Sequence, residues 1–314
     1  MENLTGKTAF VTGSASGIGL GIAKACARHG MNVVIADIRQ NAIDEALVYF
    51  KENNYPAHGV QLDVTDATAY ARAADEAERV FGKIHVLVNN AGVEAPMGKV
   101  WHNTVNDVDF IVGVNIKGIL NGIITLVPRI LAHGEGGHVV STASQSGLFV
   151  VPGAALYCMT KAAVVGLMET LACDLRGTNV GASAFCPGPV QGNLSATSLE
   201  VRPDNLKNAE AAAPPPRRDP PPAPPPGSPP PVDFSQYVIP AATAGEYVVR
   251  GIRRGDLYIL THADFRDSMR VKNDAIVRAY PDEPVREDFV NAFSFLTKNP
   301  VYEEQTTPPK LDIK

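Results

Sequence analysis

The chain has 314 residues, 45% of them hydrophobic and 19% charged, values ordinary for a folded domain able to bury a large core. A formal charge of -5 argues against nucleic acid or an anionic membrane as the main partner. The scattered histidines, and four cysteines (Cys26, Cys158, Cys173, Cys186) without a C-x-x-C pair, give no reason to expect a metal centre or a disulfide framework.

Short β-rich apolar runs alternate with amphipathic stretches, the pattern of βαβ units and a parallel sheet. Strands are predicted at 8–11, 32–36, 58–62, 86–88, 138–141, 181–186 and 257–261. Helices are predicted at 18–29, 43–51, 67–81, 107–133, 155–176, 242–253 and 268–280. The strands are almost continuously apolar, which suits a sheet covered on both faces. The expected fold is an α/β doubly wound parallel sheet in three layers, α/β/α, over a single domain spanning 1–314. Residues 192–240 are expected as an insertion over the substrate side, and the tail at 300–314 as poorly ordered beyond Tyr302. No signal-peptide pattern opens the chain and no apolar run is read as long enough to span a bilayer, so the expected location is the cytoplasm.

Residues 12–19 (TGSASGIG) join the first strand to the first helix. Gly13, Gly17 and Gly19 permit a tight turn and close backbone approach. Ser16, Gly17 and Ile18 open a helix whose free N–H groups and positive dipole end suit a pyrophosphate. The spacing G-x-x-x-G-x-G differs from the G-x-G-x-x-G of many dinucleotide sites; its place between a strand and a helix gives it meaning. Asp37 closes the second strand about 20 residues on, where a carboxylate accepts hydrogen bonds from ribose hydroxyls and repels a 2′-phosphate. That favours NAD(H). Ile38 follows, and Arg39 has two readings: a partner for the 2′-phosphate of NADP or, preferred, a solvated surface charge. Asp63 and Val64, after the third strand, either reach the adenine or belong to a helix N-cap region.

Asn89, Asn90, Ala91 and Gly92 end the fourth strand at the carboxyl edge, where open α/β sheets bind ligands. Ser144 follows the fifth strand, and Tyr157 and Lys161 share one helical face at i and i+4. A phenol with a pKa of roughly 10 is a poor base near neutrality, and a neighbouring ammonium favours the phenolate. Pro187, Gly188 and Val190 turn the chain after the sixth strand. In order and spacing, TGSASGIG, NNAG, Ser144 with YCMTK, and PGPV at 187–190 resemble the short-chain dehydrogenase/reductase family over about residues 5–192. The resemblance implies a Rossmann-like fold, a nicotinamide cofactor and a catalytic set of Asn115, Ser144, Tyr157 and Lys161. In that set Ser144 donates to the substrate oxygen and Lys161 also binds the nicotinamide ribose. Asn115 holds a water behind the lysine, and Pro187-Gly188 lies against the carboxamide. It further implies a homodimer or homotetramer packed through helices 107–133 and 155–176. Where the family often has Thr after this turn, Gly192 and Asn193 follow Gln191.

Substrate choice in the family lies in the segment after that turn. Here it is long, and its residues 214–231 (PPPRRDPPPAPPPGSPPP) favour extended polyproline II. A solvent-exposed insertion in a lid is preferred over a partner-docking site, with Arg217 and Arg218 exposed. Residues 245–284 are similar to a subgroup that includes bacterial Cα-dehydrogenases of lignin-type aryl ethers, which implies a bulky, partly aromatic secondary alcohol or ketone. Phe149, Val150, Val151, Leu194 and Leu199 are then candidate pocket walls. Two other functions are compatible with the chain. One is reduction of an imine in natural-product tailoring. The other is a non-redox nucleotide-binding module, which loss of a catalytic residue would favour, and none is lost.

Overall fold

The computed structural model describes residues 1–208 and 233–312. Seven strands form its centre: β1 (Thr8–Thr12), β2 (Asn32–Asp37), β3 (Ala57–Gln61), β4 (Val86–Asn89), β5 (Gly137–Thr142), β6 (Val180–Cys186) and β7 (Tyr258–Leu260). They pair in the order β3-β2-β1-β4-β5-β6-β7, every pair parallel. All carboxyl ends therefore gather along one edge, and the order reverses between β1 and β4, where such sheets open a crevice.

Neither sheet face is polar, because both are covered. In β1, Phe10 packs to one side and Ala9 and Val11 to the other; in β2, Val34 opposes Val33 and Ile35. On one face lie α1 (Gly17–Arg28), α2 (Gln40–Glu52) and α9 (Ala241–Arg254), bringing Ile22, Ile43, Phe50 and Ile252. On the other lie α3 (Ala67–Phe81), α5 (Ile119–His133) and α7 (Ala155–Asp174), bringing Tyr70, Leu126, Ile130 and Met168. Each such side chain contributes about 1.5–3 kcal/mol on burial. The expected Rossmann-like three-layer architecture is the observed one.

The long helix expected over 107–133 is instead three helical segments in unbroken succession. α4 (Val105–Val112) starts on a Thr104–Asp107 capping box, a π-helical turn (Gly113–Gly118) follows, and α5 completes it. Asn115 lies within the π turn, a local widening of the helix often found at functional sites. Together α4 to α5, and α7 alone, are long and apolar enough to cross a membrane by length and composition, which corrects the reading that no such run exists. Both pack on the sheet and carry Asn115, Tyr157 and Lys161.

The helices α6 (Gln145–Leu148), α8 (Leu194–Glu200), α11 (Glu287–Ala292), α12 (Ser294–Thr297) and α13 (Pro300–Glu303) had no prediction, being too short to display a helical period. α10 (Arg266–Arg278) starts two residues before its expected position. Among the described residues the stretch beyond Tyr302, expected to be poorly ordered, makes polar contacts with α9 and β7. Arg254 Nη2 donates to Thr306 Oγ1 (2.6 Å), Arg250 Nη1 to the Pro309 carbonyl (2.7 Å), and Tyr258 N to Gln305 Oε1 (2.9 Å). The proline block at 214–231 lies outside the described residues. All four cysteines are free thiols, Cys26 and Cys186 buried.

Candidate active site

A cavity of about 690 Å³ runs along the carboxyl edge, from the turn after β1 to α8. Every residue predicted to touch the cofactor lines it, as do Ser144, Tyr157 and Lys161; Asn115 lies behind the wall. Among the described residues no group of three His, Cys, Asp or Glu side chains is placed to hold a metal.

The phosphate turn is built by close approach. Gly13 has φ +60°, and a Cβ there would sit 2.7 Å from Ala91 Cα, so only glycine fits. Thr12 Oγ1 accepts from the N–H groups of Asn90 (3.0 Å) and Ala91 (3.1 Å), and Asn90 Nδ2 donates to the Thr12 and Gly13 carbonyls (3.1 Å each). The Asn90 side chain is thus a tie between β4 and the turn. A Cβ on Gly17 (φ +52°) would project into open space, with only Gly192 Cα within reach at 3.9 Å. This recess at the N-terminus of the twelve-residue α1 fits a pyrophosphate, which the free first-turn N–H groups would hold.

At the other end of that half, Asp37 is 6% exposed and accepts from Ala15 N (3.2 Å), Arg39 N (3.2 Å) and Arg39 Nε (3.3 Å). Arg39 also donates to Ser16 Oγ (2.9 Å) and reaches Glu200 of α8 (3.4 Å). Its side chain is only 15% exposed. The preferred reading of Arg39 as a solvated surface charge is therefore wrong; two carboxylates draw it into the cavity wall. Asp63 Oδ1 accepts from Thr65 N and Oγ1 (2.9 and 2.8 Å), and the N-cap of α3 is Asp66. That leaves Asp63 and Val64 as cavity lining.

The N-terminal half of α7 carries Tyr157 and Lys161 to the cavity. Lys161 is 4% exposed, its Nζ donates to the Thr142 carbonyl (2.8 Å), and it lies 5.6 Å from the Tyr157 ring centre. Burial lowers its ammonium to about 8. Burial pushes the Tyr157 phenol up to about 12; hydrogen bonding with Ser144 opposes this and the charge of Glu94 adds to it. The chain by itself thus keeps the phenol protonated at neutrality, the lysine being directed at Thr142. Ser144 caps α6 by accepting from Ser146 N (3.0 Å). Its serine neighbour Ser141 is buried in the strand, accepting from Asn89 Nδ2 (3.3 Å), and of the serines in that segment Ser144 lines the cavity. Asn115 is fully buried. Its Oδ1 accepts from Val93 N (2.8 Å), and its Nδ2 donates to the Val93 carbonyl (2.9 Å) and Thr160 Oγ1 (3.1 Å). It fastens the strand-end loop to α7 one residue from Lys161.

The remaining half of the cavity was not legible beforehand. Phe110, Val114, Val201 and Leu206 form its apolar wall together with Leu194. Of the other predicted wall residues, Val150 (87% exposed) and Leu199 (74%) face water, and Phe149 packs on the Phe265 ring at 5.9 Å. Glu94 lines the cavity, and its charge adds to the raising of Tyr157; its Oε2 accepts from Ser195 Oγ of α8 (2.6 Å), and its N–H donates to Ser198 Oγ (2.9 Å). The segment is anchored by a buried ion pair, Arg202 Nη1 to Asp107 Oδ1 at 2.7 Å. Gly188 donates its N–H to Thr261 Oγ1 (2.9 Å), and a Cβ there would meet His262 Nδ1 at 2.5 Å. The Thr104-x-x-Asp107 capping pattern was a visible signal for one of these residues; the pairing across 95 residues of chain had none.

The model of the family described as short chain dehydrogenase matches residues 7–202. A Cα-dehydrogenase of Sphingobium sp. (strain NBRC 103272 / SYK-6) is 31% identical over 283 residues, 88% of this chain and 87% of that one. Among solved structures, a short-chain dehydrogenase/reductase from Burkholderia phymatum in complex with NAD aligns with a TM-score of 0.77 at 31% identity, covering 91% of this chain and 100% of that one. The apo form of LigD from Sphingobium sp. strain SYK-6 gives 0.71 at 30%, covering 89% and 100%. With the ordered motifs gathered along one cavity and these likenesses spanning most of its length, the chain belongs to the short-chain dehydrogenase/reductase family and is a nicotinamide-dependent oxidoreductase.

Proposed function

We propose that the protein transfers hydride reversibly between NAD(H) and a bulky, uncharged, aryl-bearing secondary alcohol or its ketone. The observation that carries this is the convergence of Tyr157, Lys161 and Ser144 on the wall of one cavity, at the junction of two unlike halves. One is lined by the phosphate turn and Asp37. The other is walled by Phe110, Val201 and Leu206, with Glu94 among the residues that line it. The nicotinamide supplies the hydride acceptor or donor when bound. Ser144 donates to the substrate oxygen and holds it beside the phenol. In reduction the Tyr157 phenol gives its proton to that oxygen; in oxidation its phenolate, which the Lys161 ammonium and the positive charge of bound NAD⁺ would favour, takes that proton back. Lys161 fixes the ribose end while its bond to Thr142 fixes the ammonium, and Asn115 positions the adjoining Val93 backbone.

NAD is favoured over NADP because Asp37 stands at the end of β2 and, with Glu200, neutralises Arg39, which would otherwise attract a 2′-phosphate. An aryl substrate is supported by the aromatic and aliphatic wall and by the likeness to a Cα-dehydrogenase. Glu94 disfavours anionic substrates. The same reading makes the chain a cytoplasmic homodimer or homotetramer packed through α5 and α7, whose outer faces expose Ile124 and Met159.

Purified protein should turn over members of a panel of neutral aryl secondary alcohols with NAD⁺, followed by cofactor absorbance. Tyr157→Phe should lower kcat by about 10²–10⁴-fold while NADH fluorescence titration shows binding intact. Full turnover by that variant, or tighter binding of NADPH than NADH by the parent protein, would refute the assignment.

A further inference from the structure

Between β7 and α13 the chain makes an excursion without a core. α10, α11 and α12 bury none of their residues. A thirteen-residue helix with no buried face is marginal in water, and among the described residues nothing covers it. The excursion is rooted at both ends beside α7. At one end Phe265 packs on Phe149 and Lys272 donates to the Leu148 carbonyl. At the other, Asn299 bonds Cys173 (3.3 Å) and Tyr302 OH donates to Glu169 (3.1 Å).

Large apolar side chains stand in water along the arm: Val277 66% exposed, Tyr280 74%, Phe295 72% and Leu296 69%, with Phe289 stacked on Phe293 at 4.5 Å. Counting Tyr280, Phe289, Phe293 and Phe295 at 150–250 Å² each and weighting by exposure, the aromatic side chains alone offer about 350–575 Å², to which the exposed Val271, Ile276, Val277, Val285 and Leu296 add. The largest patch on an ordinary monomer is about 300–600 Å², and a stable interface takes about 800 Å² from each partner. The neighbouring outer face is apolar too, with Ile124 of α5 at 70% and Met159 of α7 at 49%, followed by exposed Ala162, Ala163 and Gly166.

Charge indicates what the arm meets. α10 carries Arg266, Arg270, Lys272 and Arg278 against Asp267 and Asp274, four positive minus two negative. The stretch 282–288 carries Asp282, Glu283, Glu287 and Asp288 against Arg286, one positive minus four negative. A basic half followed by an acidic half is complementary to itself when turned through a two-fold axis, and the acidic half disfavours an anionic lipid surface.

We propose that α10–α12 is a dimerisation arm whose occupant is a second copy of this chain. The two arms lie antiparallel, basic half against acidic half, alongside apposed α5–α7 faces. The inference rests on the reading that the chain self-associates, and the test separates the two.

Sedimentation velocity on the full chain from 0.1 to 100 micromolar (concentrations on the order of those at which such interfaces dissociate) should show a reversible association. Phe289→Ser/Phe293→Ser should weaken it at least tenfold with an unchanged circular dichroism spectrum. Glu287→Lys/Asp288→Lys should also weaken it, and mixing that variant with Arg266→Glu/Arg270→Glu should restore a mixed dimer. If the parent chain associates and the arm variants do so equally well, the arm is refuted while self-association stands. A parent chain that remains monomeric refutes both, as does one that stays monomeric and binds phosphatidylglycerol vesicles through the arm. Should the serine variants misfold, amide exchange of residues 266–298 in the parent protein decides the matter. Protection rising with concentration supports the arm, and protection independent of it overturns the proposal.

Discussion

Lys161→Met tests the energetic reading of the site most directly, because it separates what the lysine does for catalysis from what it does to the fold. Burial lowers the Lys161 pKa from 10.5 to about 8. At about 1.4 kcal/mol per unit, the folded state carries roughly 3 kcal/mol of penalty wherever the lysine is charged in both states. The folded pKa lies below the unfolded one, so the penalty is complete below pH 8. Between about 8 and 10.5 the unfolded chain keeps a proton that the folded chain has lost, and stability rises with pH. Methionine removes the charge but leaves the Thr142 carbonyl without its donor, which costs about 1–3 kcal/mol. The variant should therefore be more stable than the parent by about 1 kcal/mol at pH 7 and less stable at pH 11. Urea denaturation of the two proteins without cofactor, at both pH values, measures this difference, and other pH effects cancel in the comparison. Turnover should be lost at both. A stability difference that does not change sign across the window would refute the claim that the lysine is held against a desolvation penalty.

Two further outcomes follow from the substrate half of the cavity. Glu94→Gln removes a negative charge that raises the Tyr157 phenol, so the pH profile of alcohol oxidation should move toward acid. Discrimination between a neutral substrate and its carboxylate-bearing analogue should also fall; an unchanged profile with unchanged discrimination would count against Glu94 as the selectivity group. Asp107→Ala leaves Arg202 buried without its partner, both side chains being 10% exposed or less. It should cost about 3–5 kcal/mol in a denaturant melt. Asp107→Ala/Arg202→Met should recover most of that, and failure of the double variant to recover would show that the pair is not an isolated ionic anchor.

What could be read in advance had local causes. Strand positions, the phosphate turn, Asp37 and the Tyr157–Lys161 pair each follow from a period or a spacing within about 20 residues. Arg39 was misjudged because its surroundings come from two places: Asp37 two residues away, and Glu200 on a helix 161 positions along the chain. Glu94 has no local signal, because the residues that hold it, Ser195 and Ser198, lie 101 and 104 positions along the chain. Val150 and Leu199 failed as wall residues for the converse reason, since apolar character states a preference for burial without saying which neighbour provides it. The π turn at Asn115 likewise left no trace, because an inserted residue in a helix hardly disturbs an apolar pattern of period 3.6.

The motifs that identify the family are physically one object, which is why they are informative together and weak apart. Thr12, at the end of β1, accepts the N–H groups of Asn90 and Ala91. Asn90 in turn donates to the carbonyls of Thr12 and Gly13 and accepts from Thr142 Oγ1 (3.3 Å), and the Thr142 carbonyl accepts from Lys161 (2.8 Å). A continuous set of hydrogen bonds thus crosses from β1 through β4 and β5 to α7, joining the turn after β1, the NNAG loop and Lys161. Each bond contributes only about 0.5–1.5 kcal/mol net, yet leaving one buried member without a partner costs about 1–3 kcal/mol. The members are therefore not free to vary one at a time. The same linkage fixes the distance between the cofactor-binding turn and Lys161, which a loop-borne lysine could not hold. The specificity segment after Val190 meets this set at its rim, through Glu94 and Arg39. It can diverge, as its long proline-bearing sequence does here, without disturbing the atoms that carry the reaction.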